Sequence, residues 1–348
     1  ATQESAMRSP QLKTLAQQVI VITGASSGMG LSTARIAARA GACVFLAARD
    51  AVALRRICDE IHGTGGQAGF LAIDVGSEVE VEALAEAAIK RFGGFDSWIN
   101  VAGVCLVGPL KDVSTADHQR LFQTNYWGVV HGSMAAVRHF RERGQPGALV
   151  NVGSAASDVV LPFAGTYAAS KFAVKAFTNA LRVELLHERL PVSVTLIKPS
   201  AVDSLLTEHA KTTLGAATRL PGPRYTPAVV ARAILGAVQR PRREIAIGSP
   251  ALIGAAVANL FPRATEWLMS RIGADDVVDA DRPAPTPNAL DGVPTEGQVR
   301  SGRYPARDFS VTTAAQMNPA ATASLLVLGV AAVALIAGRK RVRPSPRA

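Results

Sequence analysis

Three cysteines in 348 residues are too few and too scattered to hold a fold together. Cys43, Cys58 and Cys105 are odd in number and lie in apolar or helical contexts with no CxxC pair, so reduced core residues are expected. No zinc spacing is present, and no metal site is expected. The first seventeen residues carry no apolar stretch. A signal peptide is therefore not expected, and the catalytic part is expected to stay in the cytoplasm. No basic helix interleaved with aromatics occurs either, which argues against nucleic acid as a partner despite a formal net charge of +10. Five of the positive charges, Arg339, Lys340, Arg341, Arg343 and Arg347, fall in the last ten residues, and basicity so local suits a membrane flank better.

What the sequence does have is hydrophobic periodicity. Residues 18–23 form a buried-strand run, followed by a glycine-rich turn and a helix that runs through 35–40 and stops at Gly41. Further strand candidates are 43–47, 68–73, 97–101, 149–152, 192–197 and 244–247, with long helical stretches between them. Strands that alternate with helices and are apolar on both faces predict an α/β protein, a doubly wound parallel sheet of the Rossmann type, whose ligands bind at the carboxyl ends of the strands. The expected organisation is a tail at 1–14, a single catalytic domain at 15–273, a flexible linker at 274–318 rich in Pro, Ala, Asp and Thr, a transmembrane helix at 319–338 and a basic tail at 339–348.

The turn Thr23-Gly24-Ala25-Ser26-Ser27-Gly28-Met29-Gly30 has glycines where a backbone turns tightly, approaches a pyrophosphate and lets a helix pack on a strand. The helix N-terminus behind it offers N–H groups and a positive dipole end to phosphates. After the second strand comes Ala47-Ala48-Arg49-Asp50. An acidic residue at the end of this strand would accept ribose hydroxyls, whereas an arginine pairs with a 2′-phosphate, so Arg49 favours NADP(H) over NAD(H). The alternative is a solvated Arg49 with Asp50 as a helix cap. Asp74, with Val75 after it, ends the third strand and either touches the adenine side of such a pocket or only caps a turn.

Tyr167 and Lys171 lie four residues apart on one helix and share a face. A phenol with a pKa of about 10 is a poor acid or base at neutral pH, but a neighbouring ammonium and an oxidised nicotinamide both favour its phenolate. With these residues in place the sequence resembles the short-chain dehydrogenase/reductase family over residues 15–272. Tyr167-Ala168-Ala169-Ser170-Lys171 matches the family's YxxxK, Thr23 to Gly30 its TGxxxGxG, Ser154 its catalytic serine, and Asn125, in Thr124-Asn125-Tyr126-Trp127-Gly128, its relay asparagine. The resemblance implies that Tyr167 is the general acid/base and that Lys171 binds the nicotinamide ribose and depresses the tyrosine pKa. It also implies that Ser154 polarises the carbonyl and that Asn125 holds a water in the proton relay.

Two departures stand out. The family's NNAG is here Asn100-Val101-Ala102-Gly103, so one amide near the sheet and adenosine becomes apolar; Asn100, Ala102 and Gly103 keep the expected cofactor contacts. The PG segment is Pro199-Ser200-Ala201-Val202-Asp203-Ser204, losing the glycine but leaving nicotinamide contacts open to Pro199, the Val202 backbone and the Ser204 hydroxyl. Residues 205–224 are expected to form a mobile lid or a plain surface loop, and 251–269 an amphipathic helix for core or dimer packing.

Residues 320–338 contain no charge, and eight of them are Leu, Ile or Val. Such a segment inserts favourably, by about −2 to −5 kcal/mol, so a bilayer is an expected partner. The basic tail and the cytoplasmic domain give conflicting orientations. The function these features imply is reversible hydride transfer between a nicotinamide and a carbonyl or alcohol, with a lipophilic small molecule as substrate. A non-catalytic NADP(H)-sensing or scaffold protein and an epimerase or dehydratase on the same fold are the alternatives, and a homo-oligomer is possible.

Overall fold

The structure is a computed structural model and describes residues 10–219, 222–294, 297–319 and 322. Seven short apolar stretches form its central sheet: β1 (Val19–Thr23), β2 (Cys43–Ala48), β3 (Ala68–Ala72), β4 (Ser97–Asn100), β6 (Gly147–Val152), β7 (Val192–Pro199) and β10 (Glu244–Ile247). Their spatial order is β10-β7-β6-β4-β1-β2-β3, and every pairing is parallel. The seven strands read from the sequence are these seven, displaced by a residue or two at their ends.

Alternation along the strands explains why the sheet is covered twice. Ile20, Ile22, Val44 and Leu46 face a layer made by α1 (Gly28–Arg39), α2 (Ala51–Gly63) and α7 (Pro227–Ala237). Val21, Phe45 and Ala47 face the other layer, made by α3 (Glu78–Phe92), α5 (Gly128–Arg143) and α6 (Gly165–His187). The chain winds from β1 outward to β3 and then returns to β4 on the other side of β1. A crevice opens between the carboxyl ends of β1 and β4, where this architecture binds ligands.

Around that crevice stand the short helix α4 (Thr115–Phe122) and two small strand pairs: β5 (Leu106–Val107) with β8 (Lys211–Thr212), and β9 (Ala216–Thr218) with β11 (Val278–Pro283). The stretch 251–269, expected as one helix, is two: α8 (Ser249–Leu260) and α9 (Pro262–Met269). Pro262 lacks the N–H needed to continue the first helix and so begins the second. Core or dimer packing was expected of this stretch; within the chain only Ala251 is buried, while Leu252, Leu260, Trp267 and Leu268 are exposed.

Residues 274–318 depart from the expected flexible linker. They contain α10 (Ala274–Val277), β11 and α11 (Val311–Met317), and they lie against the domain. Their anchors are individual contacts rather than a periodic apolar face. Arg282 and Arg303 both meet Glu208, Arg300 meets Asp203, and Leu290 is buried. From α11, Gln316 Oε1 accepts the Ala246 N–H at 2.9 Å, its Nε2 donates to the Ala246 carbonyl, and Thr313 Oγ1 accepts the Gly248 N–H at 3.0 Å, all at the outer edge of β10.

Among the described residues no helix is long and apolar enough to cross a membrane. The segment 320–338, expected to span one, lies outside the described residues apart from Thr322, as does the basic tail.

Candidate active site

The glycine-rich turn joins β1 to α1 in a shape that only glycine permits at two points. Gly24 has φ +67°, and a Cβ there would meet the Ala102 backbone at 2.7 Å; a Cβ on Gly30 would lie 2.0 Å from the Gly24 carbonyl oxygen. The turn is thereby pressed against the loop after β4, and the N-terminus of α1 opens into the crevice, where it suits an anion. Gly24, Ser26, Ser27, Gly28, Met29, Gly30, Arg49, Asp74, Val75, Ala102 and Gly103 line this cleft together, all of them residues singled out from the sequence.

Two other residues expected to touch a cofactor lie behind the cleft wall. Thr23 is buried, and its Oγ1 accepts the N–H groups of Val101 and Ala102. Asn100 is buried in a polar network, its Oδ1 accepting Trp98 Nε1 at 2.8 Å and its Nδ2 donating to Asn151 at 2.9 Å and Ser133 at 3.3 Å. With its amide spent inside the sheet, Asn100 supports the crevice rather than facing a ligand. Asp50 does cap α2, accepting the Ala53 N–H, and Arg49 Nη2 donates to the Ala289 carbonyl at 2.8 Å. Burial opposes ionisation of Asp74, yet hydrogen bonds from the Gly76 N–H and Arg120, and the nearby Arg49 charge, hold its carboxyl below the ordinary range. Asp74 lines the cleft and braces the turn at Gly76.

Beside the cleft, and sharing Met29, Ser204 and Leu206 with it, lies a cavity of about 770 Å³ lined mainly by apolar side chains. Ser154 and Tyr167 are in its wall together with Pro199, Val202 and Ser204, the last of which also lines the cleft. Ser154 caps a short 3-10 turn, its Oγ accepting the Ala156 N–H at 3.1 Å. Lys171 is buried, donates from Nζ to the Val152 carbonyl at 3.0 Å, and lies 5.8 Å from the Tyr167 ring centre. Asn125 sits in a π-helical turn and is fully buried; its amide exchanges two bonds with the Val104 backbone and donates to Ser170. The side-chain amide thereby ties the Val104 backbone to Ser170 on α6.

Electrostatics at the pair depart from the sequence reading. Burial pushes the Tyr167 phenol up, the Cys105 thiol beside it adds to this, and only a Ser154 hydrogen bond pulls it down. Burial likewise pushes Lys171 down, to about 8. Desolvation dominates both shifts because each group is buried away from water, which disfavours the charged form of either. The unfolded chain keeps its lysine proton to about 10.4, so between about 8 and that value the folded state binds fewer protons and the Lys171 contribution improves as pH rises; below 8 the full cost of a buried charge remains. Lys171→Met is expected to gain most over the parent below pH 8 and to lose that advantage above it, as read by urea midpoints. An unchanging gap would show that Lys171 is not the titrating group.

One cluster was missed in the sequence. Asp158, at the end of the Ser154 turn, has a side chain 2% exposed and forms ion pairs with Lys175 and, at 2.9 Å, with Lys198, which also reaches Glu244 at 2.7 Å. Lys175 lies one helical turn beyond Lys171, and Lys198 directly precedes Pro199. That spacing, on the Tyr167 face of α6, was the available signal. Burial works against the Lys198 charge, but hydrogen bonds and attraction from Glu244 and Asp158 hold it above the ordinary lysine range.

A family model described as short chain dehydrogenase matches residues 18–215, more than half of the chain. The chain belongs to the short-chain dehydrogenase family. It is 47% identical over 263 residues to a Bacillus subtilis (strain 168) protein described as the uncharacterized oxidoreductase YxnA, covering 75% of this chain and 74% of that protein. Among solved structures, a short-chain dehydrogenase/reductase from Burkholderia phymatum in complex with NAD superposes with a TM-score of 0.65 at 27% identity, over 74% of this chain and 96% of that one. An alcohol dehydrogenase from the archaeon Thermococcus sibiricus complexed with 5-hydroxy-NADP gives 0.58 at 25% identity, over 66% and 95%. As a short-chain dehydrogenase, the chain is an oxidoreductase.

Proposed function

We propose that this short-chain dehydrogenase interconverts a lipophilic carbonyl compound and its alcohol with NADP(H), using Tyr167 as general acid/base. The observation that carries this reading is the placement of Tyr167 and Ser154 in the wall of a large apolar cavity that runs into the glycine-rich cleft. The cavity falls within the ~300–1,000 Å³ typical of small-molecule sites, and its lining suits an apolar substrate better than a sugar or an acid. The bound nicotinamide supplies or accepts hydride. The chain's own residues do the rest: Ser154 can donate its hydroxyl proton to a carbonyl oxygen, Tyr167 delivers a proton to that oxygen as the carbon becomes tetrahedral, and the Lys171 ammonium stabilises the phenolate left behind. Water is kept away by the apolar walls.

The residues present fit a phosphorylated dinucleotide. The turn leaves α1 N–H groups facing the cleft, and Arg49 follows β2 where an acid would favour NAD(H). Among the two solved neighbours one complex holds NAD and the other an NADP derivative, so the preference rests on Arg49. Purified protein incubated with NADPH or NADH and a panel of apolar ketones and aldehydes, followed by absorbance of the reduced cofactor, tests the whole reading. NADPH should be consumed faster than NADH; equal use sinks the preference, and tight binding without turnover on any compound favours a sensor.

The uncharged segment 320–338 supports tethering to a bilayer with the catalytic domain on the cytoplasmic side. Removal of residues after Asn318 should move the protein from the membrane pellet to the soluble fraction, and retention in the pellet would refute the tether.

A further inference from the structure

The carboxyl-terminal segment crosses the mouth of the glycine-rich cleft and is fastened to both rims. At one end Ala289 is held twice, its carbonyl accepting from Arg49 Nη2 at 2.8 Å and its N–H donating to the His209 carbonyl at 2.8 Å. Leu290 beside it is 2% exposed and is seated among Val104, Leu106 and Leu121. At the other end the Gln298 carbonyl accepts the Gly28 N–H at 2.9 Å, and the Gly297 N–H donates to the Ser26 carbonyl at 2.9 Å. Arg300 Nε reaches Asp203 Oδ2 at 2.7 Å and Ser301 Oγ donates to Oδ1 at 2.6 Å, on a carboxylate with no exposed surface.

Two consequences for a dinucleotide follow. The cleft left beneath the segment has a volume of about 130 Å³, well below the ~300 Å³ at which small-molecule sites begin. One N–H group at the start of α1, where phosphates are held, already has a partner from the chain itself. Ala289 and Val293 also line the cleft on the side of Arg49 and Asp74, where they offer an apolar surface to a purine ring.

We propose that residues 288–294 and 297–301 are a strap that forms the outer wall of the dinucleotide site and lifts from the glycine-rich turn each time the cofactor enters or leaves. The proposal rests on the dinucleotide reading above and adds residues to that site. The two fastenings differ in kind. Leu290 is anchored in an apolar cluster, whereas the Arg300 side chain is 41% exposed. The strap therefore opens from the Arg300 end and pivots near Leu290. A strap that must open before either step limits association and dissociation together, so loosening it speeds both while affinity changes less.

Stopped-flow fluorescence of NADPH with the full chain tests this in the parent, in Arg300→Ala, which leaves Ser301 on Asp203, and in Leu290→Ala. Both rate constants are expected to rise about fivefold or more in Arg300→Ala, the scale of a half-exposed ion pair, and to rise also in Leu290→Ala. Bound NADPH should in addition slow tryptic cleavage at Arg300 and Arg303 in the parent. Rates equal to or slower than the parent's in Arg300→Ala, with an unchanged thermal midpoint, overturn the strap, whether or not Leu290→Ala folds. Failure of NADPH to bind the parent at all overturns the dinucleotide reading instead.

Discussion

Tyr167→Phe is expected to lower kcat/KM for an apolar carbonyl substrate by about 10²- to 10⁴-fold, the range that a positioned proton donor contributes. The ring is kept, and with it the packing of Tyr167 against the Leu106 and Val107 clusters, so the thermal midpoint should hardly move. What is lost is the hydroxyl that can give its proton to the substrate oxygen. Because burial pushes the phenol up and Lys171 down to about 8, the free enzyme presents a protonated tyrosine at neutral pH. That state is ready to reduce a carbonyl. Alcohol oxidation needs the phenolate, so its rate should climb with pH while carbonyl reduction falls. Steady-state turnover of Tyr167→Phe near that of the parent would remove Tyr167 from the chemistry.

Asp158→Ala is expected to cost about 3–5 kcal/mol of stability, the penalty for breaking a buried ion pair from one side. It would leave the buried Lys198 ammonium with Glu244 alone, and Lys175 without its carboxylate. Asp158→Asn should cost less, since the amide still accepts a hydrogen bond. The same change bears on activity, because Asp158 ties the turn carrying Ser154 to α6, which carries Tyr167, and to the end of β7. Denaturant midpoints measure the first effect. For the second, Asp158→Asn and Ser154→Ala should have overlapping rather than additive effects on kcat; additive losses would mean that Asp158 serves the fold without positioning Ser154.

The strands were legible because a doubly covered parallel sheet demands short runs apolar on both faces, and Val, Ile and Leu meet that demand locally. The glycine-rich turn was legible for a related reason: Gly24 takes a positive φ within the turn, and a Cβ on Gly30 would collide with the Gly24 carbonyl only six residues back. Tyr167 and Ser154 line one cavity because one helix and one strand-end turn bear them, and Lys171 is buried one helical turn on from Tyr167, bonded to the Val152 carbonyl. Asn100 and Thr23 were harder to place. Their neighbours in the sequence line the cleft, but strand alternation turns their own side chains inward to Trp98, Asn151 and the Val101 backbone. The segment after residue 273 was least legible. Its contacts to the rest of the domain join residues from 56 to 271 positions apart through lone arginines, backbone carbonyls and one buried leucine, and such contacts leave no period to read. The cluster around Asp158 hid likewise, since charges in a sequence look solvated until the fold buries them.

The seating of α11 against β10 has a consequence for assembly. β10 ends the sheet, and its outward N–H and C=O groups at Ala246 and Gly248 are already matched by Gln316 and Thr313. While that helix stays in place, no second chain can lengthen the sheet by adding a strand there. Copies of this protein that associate through this end of the sheet must displace α11 first.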